Sequence, residues 1–388
     1  MSVGIDEISF YTSNYYLDLK TLAEVQGTDP EKYYTGIGQE KMGMAAPDED
    51  IVTMASSAAL PLIERVGPEA VSTLLFATET GIDQSKAAGI YVHRLLGLSS
   101  NCRVVELKQA CYSATAALQM ACALVARKPD CKVLVIASDI ARYDLDTPGE
   151  ATQGCGAVAM LIASNPRLVS IDPEVGNHTE DVMDFWRPNY RSTALVDGKY
   201  STKIYLKALK KAWDNFRDVS DLAFGDFSRF CYHLPFSRMA QKAHQQLVRH
   251  NKVGLSADEQ EAQISDTLLY NRIIGNSYTA SMYIGLTSLL ENTEEDLSGK
   301  RIGFFSYGSG CVGEFFSGTV VAGYREALHT EYHQALLAAR REIEHDEYLQ
   351  LYRNQVPADG GEHRFAEGTT GRFRLAGIAH HKREYVIC

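Results

Sequence analysis

Apolar positions along the chain gather into short runs separated by polar turns. Val71 to Ala77 is almost unbroken and ends at Thr78-Glu79-Thr80-Gly81. Runs of this length, closed by turn residues, predict strands buried on both faces. The same pattern recurs at Lys132 to Ala137, Gly156 to Ala163, Phe230 to His233, Arg301 to Ser306 and Glu314 to Val321. Between them lie two stretches dense in small residues, Cys111 to Arg127 and Ser277 to Glu291, which predict helices that let other backbone approach closely.

These elements fall into two similar series. Each has a strand ending in a polar turn (Thr78-Glu79, then Leu234-Pro235), a helix of small residues, and two apolar strands. Strands alternating with helices predict an α/β fold with mixed sheets, built as two similar halves, 1–165 and 166–388. The second half carries helical insertions and a C-terminal extension. After Tyr324 the chain is polar with a helical period. Pro357 to Gly371 predicts a loop, and Gly371 to Ile387 a single closing strand.

Composition narrows the function. The chain has 388 residues, 45% of them apolar and 22% charged, with a formal charge of −11. It can bury a large core, and its acidity disfavours nucleic acid as a partner. No apolar run approaches the roughly 20 residues a membrane span needs. The start, MSVGIDEISFYTSNYYLDLK, lacks a basic residue before Lys20 and reads as neither signal nor transit peptide. Cys388 is the last residue, so no prenylation motif is present. The eight cysteines include no C-x-x-C pair. That argues for a reducing cytoplasm and against both a disulfide framework and a zinc site.

Three residues could carry chemistry. Cys111, in VVELKQACYSATAALQ, follows a strand and opens a helix. There the helix dipole favours a thiolate and a low pKa; the alternative is a buried packing cysteine. His233, in FCYHLPF, ends a strand, where catalytic groups collect in α/β folds, although a hydrogen-bonded core histidine fits as well. Glu79, in LLFATETG, also ends a strand. A solvated loop carboxylate is the ordinary case, but burial beside a pocket would raise its pKa into the range of a general base. Asn276, in IIGNSYTAS, fits a helix cap or a carbonyl-binding amide. Phe305 to Phe315 is Gly-rich but lacks the lysine of a phosphate loop. A reactive Cys, a His and a Glu on separate strand ends suggest thioester chemistry through an acyl-enzyme.

Together the blocks GIGQEKM, ATETGID, LKQACYSAT, EATQGCGAVAM, DFWRP, LVDGKYS, CYHLPF, GNSYTAS and FSYGSG resemble the 3-hydroxy-3-methylglutaryl-CoA synthase family, in its compact bacterial form. The resemblance implies a thiolase-like fold and a cytoplasmic homodimer of the mevalonate pathway, with no cofactor beyond its CoA thioester substrates and products. It implies that Cys111 takes the acetyl group of acetyl-CoA. Glu79 would then form the carbon nucleophile that attacks acetoacetyl-CoA, and His233 would polarise the acceptor ketone. By the same resemblance Asn276 helps hold the acetoacetyl group, Thr152, Ser201 and Ser309 line the acyl site, and Asp29, Lys32 and Lys242 stand near the CoA chain. Gln109 departs from the pattern, because many primary-metabolism members have Glu there. Gln is also found in the polyketide branch, which acts on carrier-protein-bound β-ketothioesters. A Cys-His-Asn ketoacyl-carrier-protein synthase needs no carboxylate base, so Glu79 and DFWRP speak against it. An inactive scaffold would not need all three reactive groups.

Overall fold

The computed structural model describes residues 1–388. Nine strands form one continuous sheet: β1 (Val3–Tyr11), β2 (Val71–Ala77), β3 (Arg103–Leu107), β4 (Lys132–Ala141), β5 (Gly154–Ser164), β6 (Val169–Thr179), β7 (Arg229–Tyr232), β8 (Arg301–Gly308) and β9 (Val312–Val320). Their spatial order is β7-β8-β9-β6-β1-β5-β4-β2-β3. On one side β2 runs parallel to β4, which pairs antiparallel with β5, which pairs antiparallel with β1. On the other side the same senses recur in β7, β8, β9 and β6. The series join where β1 meets β6 through Gly4 and Ile5. Gly4 is required there, because a Cβ would lie 2.0 Å from the Val169 carbonyl oxygen.

The helices that matter for the site are α1 (Ile51–Val66), α2 (Ala88–Leu95), α3 (Ser113–Arg127), α4 (Gly198–Val219), α5 (Arg238–His250) and α6 (Ser281–Asn292). In α6 every residue from Ser281 to Leu290 is buried. Its small side chains let it lie against α3 in one core, where Thr115 Oγ1 and Tyr283 OH are 2.7 Å apart. Buried hydroxyls need partners. Thr287 finds one in the Tyr283 carbonyl and Ser288 in the Asp266 carbonyl.

Three expectations need correction. α3 starts at Ser113, two residues beyond Cys111: Ala110 has a left-handed φ of 44°, and the Tyr112 and Ser113 N–H groups bond back to the Gln109 and Ala110 carbonyls, so Cys111 sits in a turn ahead of the helix. α6 starts at Ser281 and is preceded by a 3-10 turn, Tyr278–Ala280. The closing strand is a hairpin, Phe373–Ala379 and Lys382–Ile387. His380 and His381, both with positive φ, make its two-residue turn. The hairpin packs on α1, where Asp50 accepts hydrogen bonds from Tyr385 at 2.5 Å and Arg383 at 3.1 Å. No helix is long and apolar enough to cross a membrane, and all eight cysteines are free.

Candidate active site

The ends of β2 and β4 create a carboxylate pair. Asp139, on β4, is fully buried. Its carboxylate accepts six hydrogen bonds: from the hydroxyls of Thr78, Thr80 and Thr279, and from the backbone N–H of Glu79, Thr80 and Thr279. This cage fixes the turn after β2 and ties it to the turn before α6. It therefore aims Glu79, whose carbonyl also receives the Arg187 guanidinium. Burial first, then the neighbouring Asp139 charge, push the Glu79 carboxyl up to about 8, partly offset by Arg187.

Cys111 points at that carboxyl. Its Sγ donates to Glu79 Oε2 at 3.5 Å, and it packs, with Phe185, against a cluster of Ala141, Tyr143, Ala194 and Tyr278. The sequence predicted a thiol lowered by the helix start, and the structure reverses this. Burial and the charges of Glu79 and Asp139 drive the thiol well above its ordinary value. Desolvation and two carboxylates outweigh the partial charge of a helix that begins two residues later. The thiol and carboxyl thus titrate as a pair.

His233 directly follows β7, and its backbone N–H donates to the Phe305 carbonyl of β8 at 2.8 Å. It is 4% exposed, and burial holds its imidazole down to about 3, so it is neutral. Ser281 Oγ accepts from the Leu234 N–H at 3.2 Å and lies 3.0 Å from His233 Nδ1. The Ser281 hydroxyl has one proton and two lone pairs, so it can accept the Leu234 N–H and donate to Nδ1 at once, the arrangement in which Nε2 carries the ring proton. Thr279 and Ser281 stand two residues apart, so one segment holds both the Glu79 cage and His233.

The remaining expected residues divide into two groups. Asn276 Oδ1 caps the Tyr278 N–H at 2.8 Å, leaving its amide N–H groups as donors, and its backbone N–H meets the Thr152 carbonyl at 3.1 Å. The Thr152 hydroxyl closes its own turn on the Gly149 carbonyl. Ser201 Oγ donates to Asp184 at 3.0 Å, and the same buried carboxylate takes Tyr307 OH at 2.7 Å and the Gly310 N–H at 2.9 Å. Ser201 and the Ser309 turn are thereby brought together. Asp29, Lys32 and Lys242 are exposed. Asp29 caps Glu31, and Lys242 Nζ lies 5.3 Å from the Phe236 ring centre. Their two segments do meet, since the Arg238 N–H at the start of α5 donates to the Ile37 carbonyl at 2.9 Å. Asp139, Asp184, Arg187 and Tyr143 were not singled out in the sequence. The one available signal was an acid at a strand end (SDIA) or inside DFWRP.

Comparison with known proteins decides the family. The family profile "Hydroxymethylglutaryl-coenzyme A synthase N terminal" matches residues 1–167, and its C-terminal counterpart matches 169–253 and 245–355. The chain belongs to the hydroxymethylglutaryl-CoA synthase family. It is an acyltransferase that forms a carbon–carbon bond. It is similar to the hydroxymethylglutaryl-CoA synthase of Enterococcus faecalis, 42% identical over 92% of this chain and 94% of the relative. The polyketide biosynthesis 3-hydroxy-3-methylglutaryl-ACP synthase PksG of Bacillus subtilis is 34% identical over 91% and 88%. A solved HMG-CoA synthase complexed with CoA superposes with a TM-score of 0.95 at 42% identity over all of both chains. The HMG synthase of the curacin biosynthetic pathway gives 0.93 at 32%, also over all of both. The thiolase-like fold follows. The family acts on CoA thioesters, and no group of three or more His, Cys, Asp or Glu side chains is arranged to hold a metal.

Proposed function

We propose that this chain condenses acetyl-CoA with acetoacetyl-CoA and water to give 3-hydroxy-3-methylglutaryl-CoA and CoA through an acetyl-Cys111 enzyme. The observation that carries the reading is the 3.5 Å contact between the Cys111 thiol and a carboxyl raised to about 8. Cys111 Sγ bonds to the acetyl carbon as the bond to the CoA sulfur breaks. The thiol proton ends on the departing CoA sulfur, with Glu79 placed to carry it. Glu79 then removes a proton from the acetyl methyl, and the carbon so formed attacks the C3 ketone of acetoacetyl-CoA. His233 Nε2–H donates to that ketone oxygen as charge develops on it. Water finally cleaves the enzyme thioester, freeing product and thiol. Asn276, Thr152, Ser201 and Ser309 line the acyl site. Asp29, Lys32 and Lys242 flank the CoA chain, which suits the meeting of their two segments. A Cys-His-Asn synthase would leave the Cys111–Glu79 contact without a role.

The product suits the mevalonate route to isoprenoid precursors, in the cytoplasm. A second acceptor, a carrier-protein-bound β-ketothioester, is favoured by Gln109 and by the likeness to PksG. The higher identity to the Enterococcus relative favours CoA. Condensation rates with acetoacetyl-CoA and with acetoacetyl carrier protein distinguish them. We expect the larger kcat/KM with acetoacetyl-CoA, and the reverse order moves the chain to the polyketide branch. We also read the chain as two halves, 1–165 and 166–388, from the repeated pairing senses of the sheet. A homodimer fits the edge strand β3, which has β2 as its one neighbour and leaves Val105 43% exposed. Its solution mass would be twice 42.9 kDa.

A further inference from the structure

The short strand Phe185–Trp186 pairs with Leu195–Val196, and the chain is pinned on both sides of Arg187. Before it, the buried Asp184 carboxylate holds Ser201, Tyr307 and the Gly310 N–H. After it, Arg191 donates to Asp144 at 2.7 Å, and the Ala194 N–H meets the Arg142 carbonyl at 3.0 Å. Arg187 is thereby held against the turn after β2, where its guanidinium donates to the Glu79 carbonyl rather than to a carboxylate. Carbonyl and carboxyl belong to one residue, so a full positive charge stands beside the carboxyl, and it is the one cation acting there. Two other arginines line the same cavity of about 250 Å³, but Arg142 is held at the Tyr352 carbonyl and Arg383 on Asp50 at 3.1 Å. The other groups facing Glu79 are acids: Asp139 from β4, the Cys111 thiol, and the phenols of Tyr143 and Tyr278. Glu106 of β3 also abuts the turn, 3.3 Å from where a Cβ on Gly81 would lie, and accepts the Ala88 N–H at 2.7 Å. A base in such company needs a counter-charge to hold its carboxylate form near neutral pH.

We propose that Arg187 is a positioning residue for the condensation: its guanidinium anchors the Glu79 backbone and supplies the one positive charge that offsets Asp139 beside the base. The inference rests on the reading of Glu79 as the base. It is tested on the full chain by acetylating the enzyme, mixing it with acetoacetyl-CoA and measuring single-turnover condensation as a function of pH. Arg187→Gln keeps a donor for the Glu79 carbonyl but removes the charge. It should displace the pH limb upward by roughly one pH unit and slow condensation roughly 10-fold at neutral pH, with recovery above the limb. Arg187→Lys keeps the charge and should leave the limb where it is in the wild type. Arg187→Met, which removes donor and charge together, should give the same displacement with a lower plateau, and it replaces Arg187→Gln should that variant not fold. A limb that stays in place when the charge is removed, or that moves equally in Arg187→Lys, overturns the proposal. Glu79→Gln tests the base reading separately. A limb that survives this substitution overturns the role of Glu79, whereas one that vanishes there yet stays in place in Arg187→Gln overturns the role of Arg187 alone.

Discussion

Replacing Glu79 by Gln separates the two half-reactions. Glutamine keeps the shape but cannot accept a proton at neutral pH. A carboxyl raised to about 8 is ionised in only a minor fraction at neutrality. Condensation in the wild type should therefore climb nearly tenfold per pH unit below that value and level off above it. In Glu79→Gln the limb should vanish and condensation should fall by on the order of 10²-fold or more. Acetylation should fall far less, because the thiol proton can pass directly to the departing CoA sulfur, whereas the methyl proton needs a base.

The same change has a signature in stability. The folded carboxyl lies above its unfolded value of roughly 4.3, so the folded state binds the extra proton, and stability is lost as pH rises from there to about 8. Glu79→Gln abolishes that loss. The variant should be more stable than wild type by about 1–2 kcal/mol at pH above 8, after allowance for partial solvent exposure, and by little at acidic pH. Quench-flow with mass detection of acetyl-enzyme and product, with thermal melts across pH, measures all three effects. Normal condensation from preformed acetyl-enzyme, or a variant destabilised at alkaline pH, would refute the reasoning.

Two further substitutions probe the rest of the site. Ser281→Ala removes the hydroxyl hydrogen-bonded to His233 Nδ1, and should slow condensation roughly 10-fold while leaving acetylation of Cys111 intact; single-turnover kinetics of the two steps check this. Lys242→Ala should raise the KM for the CoA thioesters several-fold, in line with roughly 1 kcal/mol or less for an exposed phosphate contact, and leave kcat nearly unchanged; an unchanged KM counts against its place beside CoA.

The strands were legible because their signal is local. Val71–Ala77 is apolar whatever surrounds it, and the small residues after Cys111 had to be a close-packed helix. Glu79, Cys111 and His233 could be singled out for the same reason, each following its own strand. The Asp139 cage was not legible. It draws on residues 78–80, 139 and 279, and no local pattern joins them. The direction of the Cys111 shift failed on the same ground, since the helix start is adjacent in sequence while Glu79 and Asp139 are distant. The C-terminal hairpin was missed because His380-His381 occupies a turn that usually announces itself with Asn or Gly. The hydrogen-bond partner of His233 Nδ1, Ser281, stands 48 residues away.

The most direct measurement is a pulse–chase on the whole protein. Enzyme is mixed with acetyl-CoA carrying an isotope label, sampled for peptide mass mapping, and then chased with acetoacetyl-CoA. The label should appear on Cys111 alone, leave it as labelled 3-hydroxy-3-methylglutaryl-CoA forms, and be absent in Cys111→Ala. Label on any other residue, or label that stays on Cys111 while product forms, would contradict the acyl-enzyme route.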